Sequence, residues 1–122
     1  MSNEVESEKP DFERHPLRAM MYVLSTSTRQ RLMIKIALGA TTVRELANEL
    51  DLAQSTVRDN LKALEAVSLV VRTPGGAPIS YRLGDTAAAC ATADEVAIRV
   101  DSPLGTGMFE LTQPLAWLNE RD

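Results

Sequence analysis

A mainly α domain closed by a small β-hairpin, with a further segment behind it, is predicted by three features of the chain. Two short stretches of helical apolar spacing meet at a break near Asp51, two β-type runs flank a Pro/Gly cluster at residues 73–78, and basic charge gathers in the middle of the sequence. The break is the most informative of these. Leu46, Ala47 and Leu50 line one face of a first helix, Leu52 fills the corner, and Val57, Leu61 and Leu64 line one face of a second. That is the pattern of a helix-turn-helix, and the small Ala47 lets the two helices approach closely.

The elements follow in order. Residues 1–13 are acidic, polar and almost free of large apolar side chains, which predicts a disordered acidic tail. Pro16 suits a first helical turn, and Leu17, Met20, Met21, Val23 and Leu24 then form a short apolar helix that exposes Arg18. It carries more apolar surface than one face hides, so Leu17, Met20, Met21 and Leu24 are the expected dimerisation residues. Hydroxyls in Ser25-Thr26-Ser27-Thr28 are placed to cap the next helix, Thr28 to about Leu38, with Leu32, Met33, Ile36 and Ala37 facing inward and Gly39 ending it. Thr41 or Thr42 caps the first helix of the motif, and Glu45 falls in its first turn, where a negative charge suits the macrodipole.

Beyond the motif, Val67 to Arg72 and Ile79 to Leu83 flank Thr73-Pro74-Gly75-Gly76-Ala77-Pro78, which reads as a hairpin with an uncharged tip. A hairpin directly after the second motif helix is a wing, so residues 14–83 form a winged helix-turn-helix domain. From Asp85 the chain is Ala-rich. Ala89, Ala93, Val96 and Val100 have helical spacing and Glu95 precedes Arg99 by four, so helix is the first reading; the alternation of Val96, Ile98 and Val100 before Met108-Phe109-Glu110-Leu111 also permits a second hairpin. Residues 84–122 are accordingly expected to be a C-terminal helical and dimerisation segment. It closes with a short helix behind Pro114, in which Trp117 anchors a core or an interface.

The 122-residue chain has a net charge of −4, but the charge is unevenly divided. Residues 14–82 carry ten Lys or Arg against five acids, a balance of +5, while residues 1–13 stand at −4 and residues 83–122 at −5. Positive charge thus sits in the helix-turn-helix and its flanks, where a phosphate-neutralising surface belongs. The exposed face of the second motif helix holds Gln54, Ser55, Thr56, Arg58, Asp59 and Lys62, and its amides, hydroxyls and guanidinium suit base edges and phosphates. Gln54, Ser55 and Arg58 are the expected base readers; Lys62, Arg44 and Arg72 are expected on phosphates, with Arg82 on the wing. Arg29, Arg31 and Lys35 read equally well as phosphate contacts and as ordinary surface charge.

Other function classes find little support. One cysteine, Cys90, and one histidine, His15, are too few for a zinc or thiolate site within a chain, so no metal or cofactor is expected. Cys90 reads as a small buried hydrophobe. The chain has no phosphate-cradling Gly loop and no nucleophile motif, so no enzyme is expected, and no apolar run nears the roughly 20 residues of a membrane span, so the expected location is cytoplasmic.

On these residues the segment Leu24 to Leu83 resembles the ArsR-type winged-helix family of bacterial and archaeal repressors. Leu24-Ser25-Thr26-Ser27-Thr28-Arg29-Gln30-Arg31-Leu32 is similar to the family's L-A-D-P-T-R-x-R-I, Glu45 to Leu64 to ELAEALGLSQSTVSRHLKVL, and Tyr81-Arg82-Leu83 to the Y-R-L that leaves the wing. MarR-like proteins share the middle portion. The resemblance implies a homodimer whose two recognition helices enter successive major grooves of a palindromic operator on double-stranded DNA, as a sequence-specific transcriptional repressor.

The departures from the pattern are specific. Where the family's thiolate sensors carry Cys-x-Cys, this chain has Thr42-Val43-Arg44; the turn glycine is Asp51; the capping serine is Ala53, leaving Gln54 or Ser55 to satisfy the helix N-terminus; and the family's Arg is Asp59, one place after Arg58. A carboxylate there accepts from cytosine N4 and repels phosphate, so the family's base preference does not carry over. Two alternatives stand beside the repressor reading. One is a winged-helix protein-interaction module of a phage, plasmid or replication assembly, and the other a small-molecule-responsive sensor with a cleft between the Ala-rich segment and the first helix.

Overall fold

The computed structural model describes residues 10–119. Residues 1–9 of the expected tail and residues 120–122 lie outside them. Four helices come first: α1 (Pro16–Val23), α2 (Ser27–Ala37), α3 (Val43–Leu50) and α4 (Gln54–Ala66). The wing strands β1 (Val70–Arg72) and β2 (Tyr81–Leu83) follow, then β3 (Ala87–Ala91), β4 (Glu95–Asp101), β5 (Met108–Pro114) and a closing 3-10 helix, Leu115–Asn119.

Local chemistry sets the helix ends. Pro16 stands in the first turn of α1, whose last carbonyls are met from α2: Arg29 Nη1 donates to Val23 O at 3.2 Å and Gln30 Nε2 to Leu24 O at 2.7 Å. Thr26 caps α2 by accepting from the Arg29 N–H. Thr42 and Glu45 form a reciprocal capping box on α3, and Asp51 takes the left-handed conformation (φ 58°, ψ 48°) where the family has glycine. The α4 N-cap, Ala53, has no side-chain cap bond, so neither Gln54 nor Ser55 fills the role expected of it.

The motif helices pack as their spacing requires. Leu46, Val57, Leu61 and Leu64 are fully buried and Ala47 nearly so, with Leu50 and Leu52 packed at the margin. On α2, Leu32, Met33 and Ile36 are buried as expected, but Ile34 replaces Ala37, which is exposed. The cause is that α2 is central: it touches α3 and α4 as well as β2 and β3, so more than one of its faces is covered. On α1, Met20 and Leu24 are buried in the chain's own core, while Leu17 is half-buried and Met21 and Tyr22 are half-exposed. The apolar excess of α1 is thus largely absorbed within the chain. Phe12, assigned to the tail, also packs against this core.

Residues 84–122 correct the first reading of the sequence. Among the described residues none after Ala66 is α-helical; β3, β4 and β5 form an antiparallel sheet in that order. Alternation prevails over the alanine spacing because Val96, Ile98 and Val100 all point to one face and are all buried there. Their cross-strand neighbours on that face are Ala91, Ala89 and Ala87 on β3 and Gln113, Leu111 and Phe109 on β5. Thr92 makes the β3–β4 turn, its Oγ1 accepting from the Asp94 and Glu95 N–H groups. Arg99 pairs with Asp101 at 3.3 Å rather than with Glu95. Behind Pro114, which ends β5, the expected closing helix is among the described residues a 3-10 turn, Leu115–Asn119.

The sheet and the helices share one core. Arg31 stacks on Trp117, 4.4 Å from the ring centre, and donates to Trp117 O at 3.3 Å, while Gln113 Nε2 donates to Gln30 Oε1 at 3.1 Å. Trp117 therefore anchors the core of the chain. Cys90, expected buried, is exposed, because β3 is an edge strand with its residues 88–91 open to solvent. Replacement of Ile98 by Ala should destabilise the protein by about 2–5 kcal/mol, as for a fully packed core position. Urea unfolding followed by circular dichroism measures it, and a gain in stability would restore the helical reading, in which alanine is the better residue.

Candidate nucleic-acid interface

The polar face of α4 exists because the opposite face is sealed. With Val57, Leu61 and Leu64 buried, Gln54, Ser55, Thr56, Arg58, Asp59 and Lys62 are all left exposed. Gln54, Arg58 and Lys62 succeed one another by four and form a row along the helix. Arg58 is oriented within that row by a hydrogen bond from its Nη2 to Gln54 Oε1 at 3.2 Å.

This row is one wall of a cleft of about 590 Å³. The N-terminus of α3 supplies a second wall through Thr42, Val43 and Arg44, and the wing supplies the third through Arg72, Pro78, Ile79 and Tyr81. The cleft thus gathers four cations, Arg44, Arg58, Lys62 and Arg72, with no carboxylate among its lining residues. Of the residues singled out in the sequence, Gln54, Arg44, Arg58, Lys62 and Arg72 come together here. Ser55, Thr56 and Asp59 lie on the exposed α4 surface outside the cleft, and Arg82 is held elsewhere, donating to Leu83 O at 3.1 Å and Asp85 Oδ1 at 3.3 Å.

Two contacts fix the wing against the helices. The Tyr81 N–H donates to Thr41 O at 2.9 Å, and Thr42 and Ser80 form an antiparallel bridge. Beneath the wing, Arg72 Nε donates to Glu65 Oε2 at 3.0 Å and the guanidinium lies 6.0 Å from the centre of the Tyr81 ring. The hydrogen bond and charge of Glu65, followed by Tyr81, raise the Arg72 pKa above its ordinary value. Arg29, Arg31 and Lys35 are committed within the chain: Arg29 Nε to Asn60 Oδ1 at 3.0 Å, Arg31 to Trp117, and Lys35 to Glu49 at 3.2 Å.

Pro78 and Ile79 are wall residues that sequence reasoning did not single out. Their signal was the uncharged wing loop itself, in which the half-exposed Ile79 is the one large apolar side chain between Val71 and Tyr81. His15 is exposed at the start of α1, and among the described residues no group of His, Cys, Asp and Glu is arranged to hold a metal ion.

Residues 26–71 match the family model of the bacterial regulatory protein, arsR family. The helix-turn-helix segment is thus similar to the arsR-family domain. The match opens at the Thr26 cap of α2 and ends within β1, so it takes in both motif helices and leaves β2 and the C-terminal sheet outside it. It points to a DNA-binding transcription regulator. No curated protein matches the chain. No helix among the described residues is long and apolar enough to cross a membrane.

The capping box beside the cleft is sensitive to pH. Glu45 Oε1 accepts from the Thr41 and Thr42 N–H groups at 2.9 and 3.1 Å, and these two bonds hold its carboxyl below the usual carboxylate range. A lowered folded-state pKa stabilises the protein above the unfolded-state pKa, and that contribution fades as pH falls through the folded value. The melting-temperature gap between the parent and Glu45→Gln should therefore be widest near neutrality and close on acidification. Differential scanning calorimetry across that range measures it.

Proposed function

We propose that the protein is a sequence-specific double-stranded DNA-binding repressor that acts as a homodimer on a palindromic operator. The observation that carries this reading is the three-walled cleft, in which a tethered guanidinium and an amide on α4 stand between phosphate-type cations from α3 and the wing. In this reading α4 enters the major groove, with Arg58 addressing guanine O6 and N7 and Gln54 setting the guanidinium plane. Lys62, Arg44 and Arg72 neutralise phosphates on either side. Asp59, beside the row, accepts from cytosine N4 and selects against a phosphate at its position. The apolar wing residues Pro78 and Ile79 favour contact with a sugar or a thymine methyl over charge-based minor-groove reading.

The dimer draws support from α1, where Met21 and Tyr22 are each 50 % exposed side by side although Met20 and Leu24 are spent on the core. The protein-interaction module is the competing reading, favoured by Asp59 and the uncharged wing tip. Regulation by a thiolate metal site is not expected, since Thr42 and Arg44 stand at the sensor positions.

Selection from randomised duplexes should return inverted half-sites centred about one helical turn apart, roughly 34 Å. Arg58→Ala should then cost about 1–3 kcal/mol and relax one position per half-site, while Lys62→Ala weakens all sequences alike. No enriched site, together with no binding at low salt, overturns the DNA reading in favour of the interaction module. Sedimentation equilibrium at micromolar concentration should show a dimer that Met21→Glu with Tyr22→Glu dissociates; a monomeric parent removes the dimer.

A further inference from the structure

A second cavity, of about 460 Å³, lies on the other side of the wing from the cleft lining of α4. Its walls are apolar: Phe12 from the chain before α1, Val71 from β1 and Leu104 from the β4–β5 loop, with the fully buried Met20 of α1 packed directly behind them. Its charged lining residues are Glu13 and Asp85, both carboxylates. Glu13 forms no ion pair with another described residue, and Asp85 meets Arg82 at 3.3 Å with its own side chain 93 % exposed.

The cavity is built rather than incidental. Leu104 is 62 % exposed, an unfavourable place for a large apolar side chain, and the loop that carries it is fixed from within. Ser102 is buried; its Oγ lies 2.9 Å from Thr106 Oγ1 and accepts from the Leu104 N–H at 3.1 Å. The Ser102 and Gly105 N–H groups close the same loop onto Gly107 O and Ser102 O. A hydrogen-bonded loop thus holds Leu104 beside Phe12 and Val71, with negative charge at the rim. The volume falls in the range of small-molecule sites.

We propose that this cavity binds a small organic monocation with an apolar body, an aryl- or alkylammonium, and that its occupancy is linked to DNA binding through Asp85. The apolar body fills the space between Phe12, Val71 and Leu104, close enough for an aryl ring to shift the methyl of the buried Met20 behind it, and the ammonium lies between Glu13 and Asp85. Asp85 is the coupling group because it already holds Arg82 of β2. A cation on Asp85 competes for that carboxylate and releases the Arg82 guanidinium to a DNA phosphate, so the ligand raises DNA affinity. By reciprocity DNA raises ligand affinity by the same factor. The linkage rests on the DNA-binding reading above; the cavity and its charge preference do not.

The test uses the full chain labelled with ¹³C at the methionine methyls. Benzylammonium chloride is the probe, with benzyl alcohol and phenylacetate as neutral and anionic counterparts of similar shape. The expected result is a saturable shift of the Met20 methyl with benzylammonium, a still Met33 methyl, weaker binding of benzyl alcohol and weakest of phenylacetate. Glu13→Gln with Asp85→Asn should weaken benzylammonium roughly five- to tenfold, as the loss of two exposed charge contacts allows. An unmoved Met20, a Met33 that moves in step with it, or phenylacetate binding as well as benzylammonium overturns the site.

In the second arm, duplex affinity is measured at matched ionic strength with ammonium chloride as control. Saturating benzylammonium should raise it roughly two- to fivefold in the parent, the scale of one exposed ion pair, and leave Asp85→Asn unchanged. Unchanged parent affinity overturns the linkage. A parent that binds no duplex with or without the probe overturns the DNA reading instead, and the Met20 titration alone then decides the cavity.

Discussion

The backbone junction at Thr41 and Thr42 holds the two halves of the cleft in register. Thr41 O accepts from the Tyr81 N–H, Thr42 bridges to Ser80, and the Thr42 side chain caps α3 by accepting from the Glu45 N–H. One dipeptide therefore ends the α2–α3 connection, starts the first motif helix and docks the wing. Because backbone polar groups taken from water must find partners, the bridge settles two needs at once: the unpaired edge of a three-residue strand and the open N-terminus of an eight-residue helix. The positions of Arg44 and Arg72 follow from it, one on each side of the junction.

The cations divide by what surrounds them rather than by their place in the sequence. Those on α2 are spent inside the chain, on Asn60, Trp117 and Glu49. Those of the cleft face solvent; Arg58 leans on a neutral amide, and Arg72 keeps a carboxylate beneath it without losing its outward exposure of about half. A middle segment with a balance of +5 thus offers a smaller number of usable charges, arranged along three walls. An exposed Asp59 beside them adds the one carboxylate on the polar face of α4 that holds Gln54, Ser55, Thr56, Arg58 and Lys62.

The motif helices and the wing were legible because their side-chain pattern has a single solution. Leu46, Ala47, Val57, Leu61 and Leu64 repeat at helical spacing on short, capped segments, and the left-handed Asp51 stands where the break requires it. The C-terminal sheet was harder to read because its edge strand is nearly all alanine, a residue that signals helix locally. Only the buried Val96, Ile98 and Val100, placed by contact with the helices, decide for strand. The cleft's charged members could be named in the sequence, Arg58 and Lys62 from their order along α4 and Arg44 and Arg72 from their places on α3 and β1, but Pro78 and Ile79 could not, because their part depends on how the wing folds back. Met20 and Leu24 misled for a related reason: the apolar excess of α1 is hidden by elements distant in the chain.

The stitching of the sheet to α2 bears on modularity. The arsR-family match ends in β1, yet Arg31 leans on Trp117, Gln30 on Gln113, and the apolar face of β4 completes the core around the helices. The recognised motif is consequently not a cassette that can be lifted out at its sequence boundary. A chimera that grafts this helix-turn-helix onto another scaffold inherits an α2 surface with its guanidinium and apolar groups uncovered, and any recombination partner must supply both a strand and an aromatic ring to cover them.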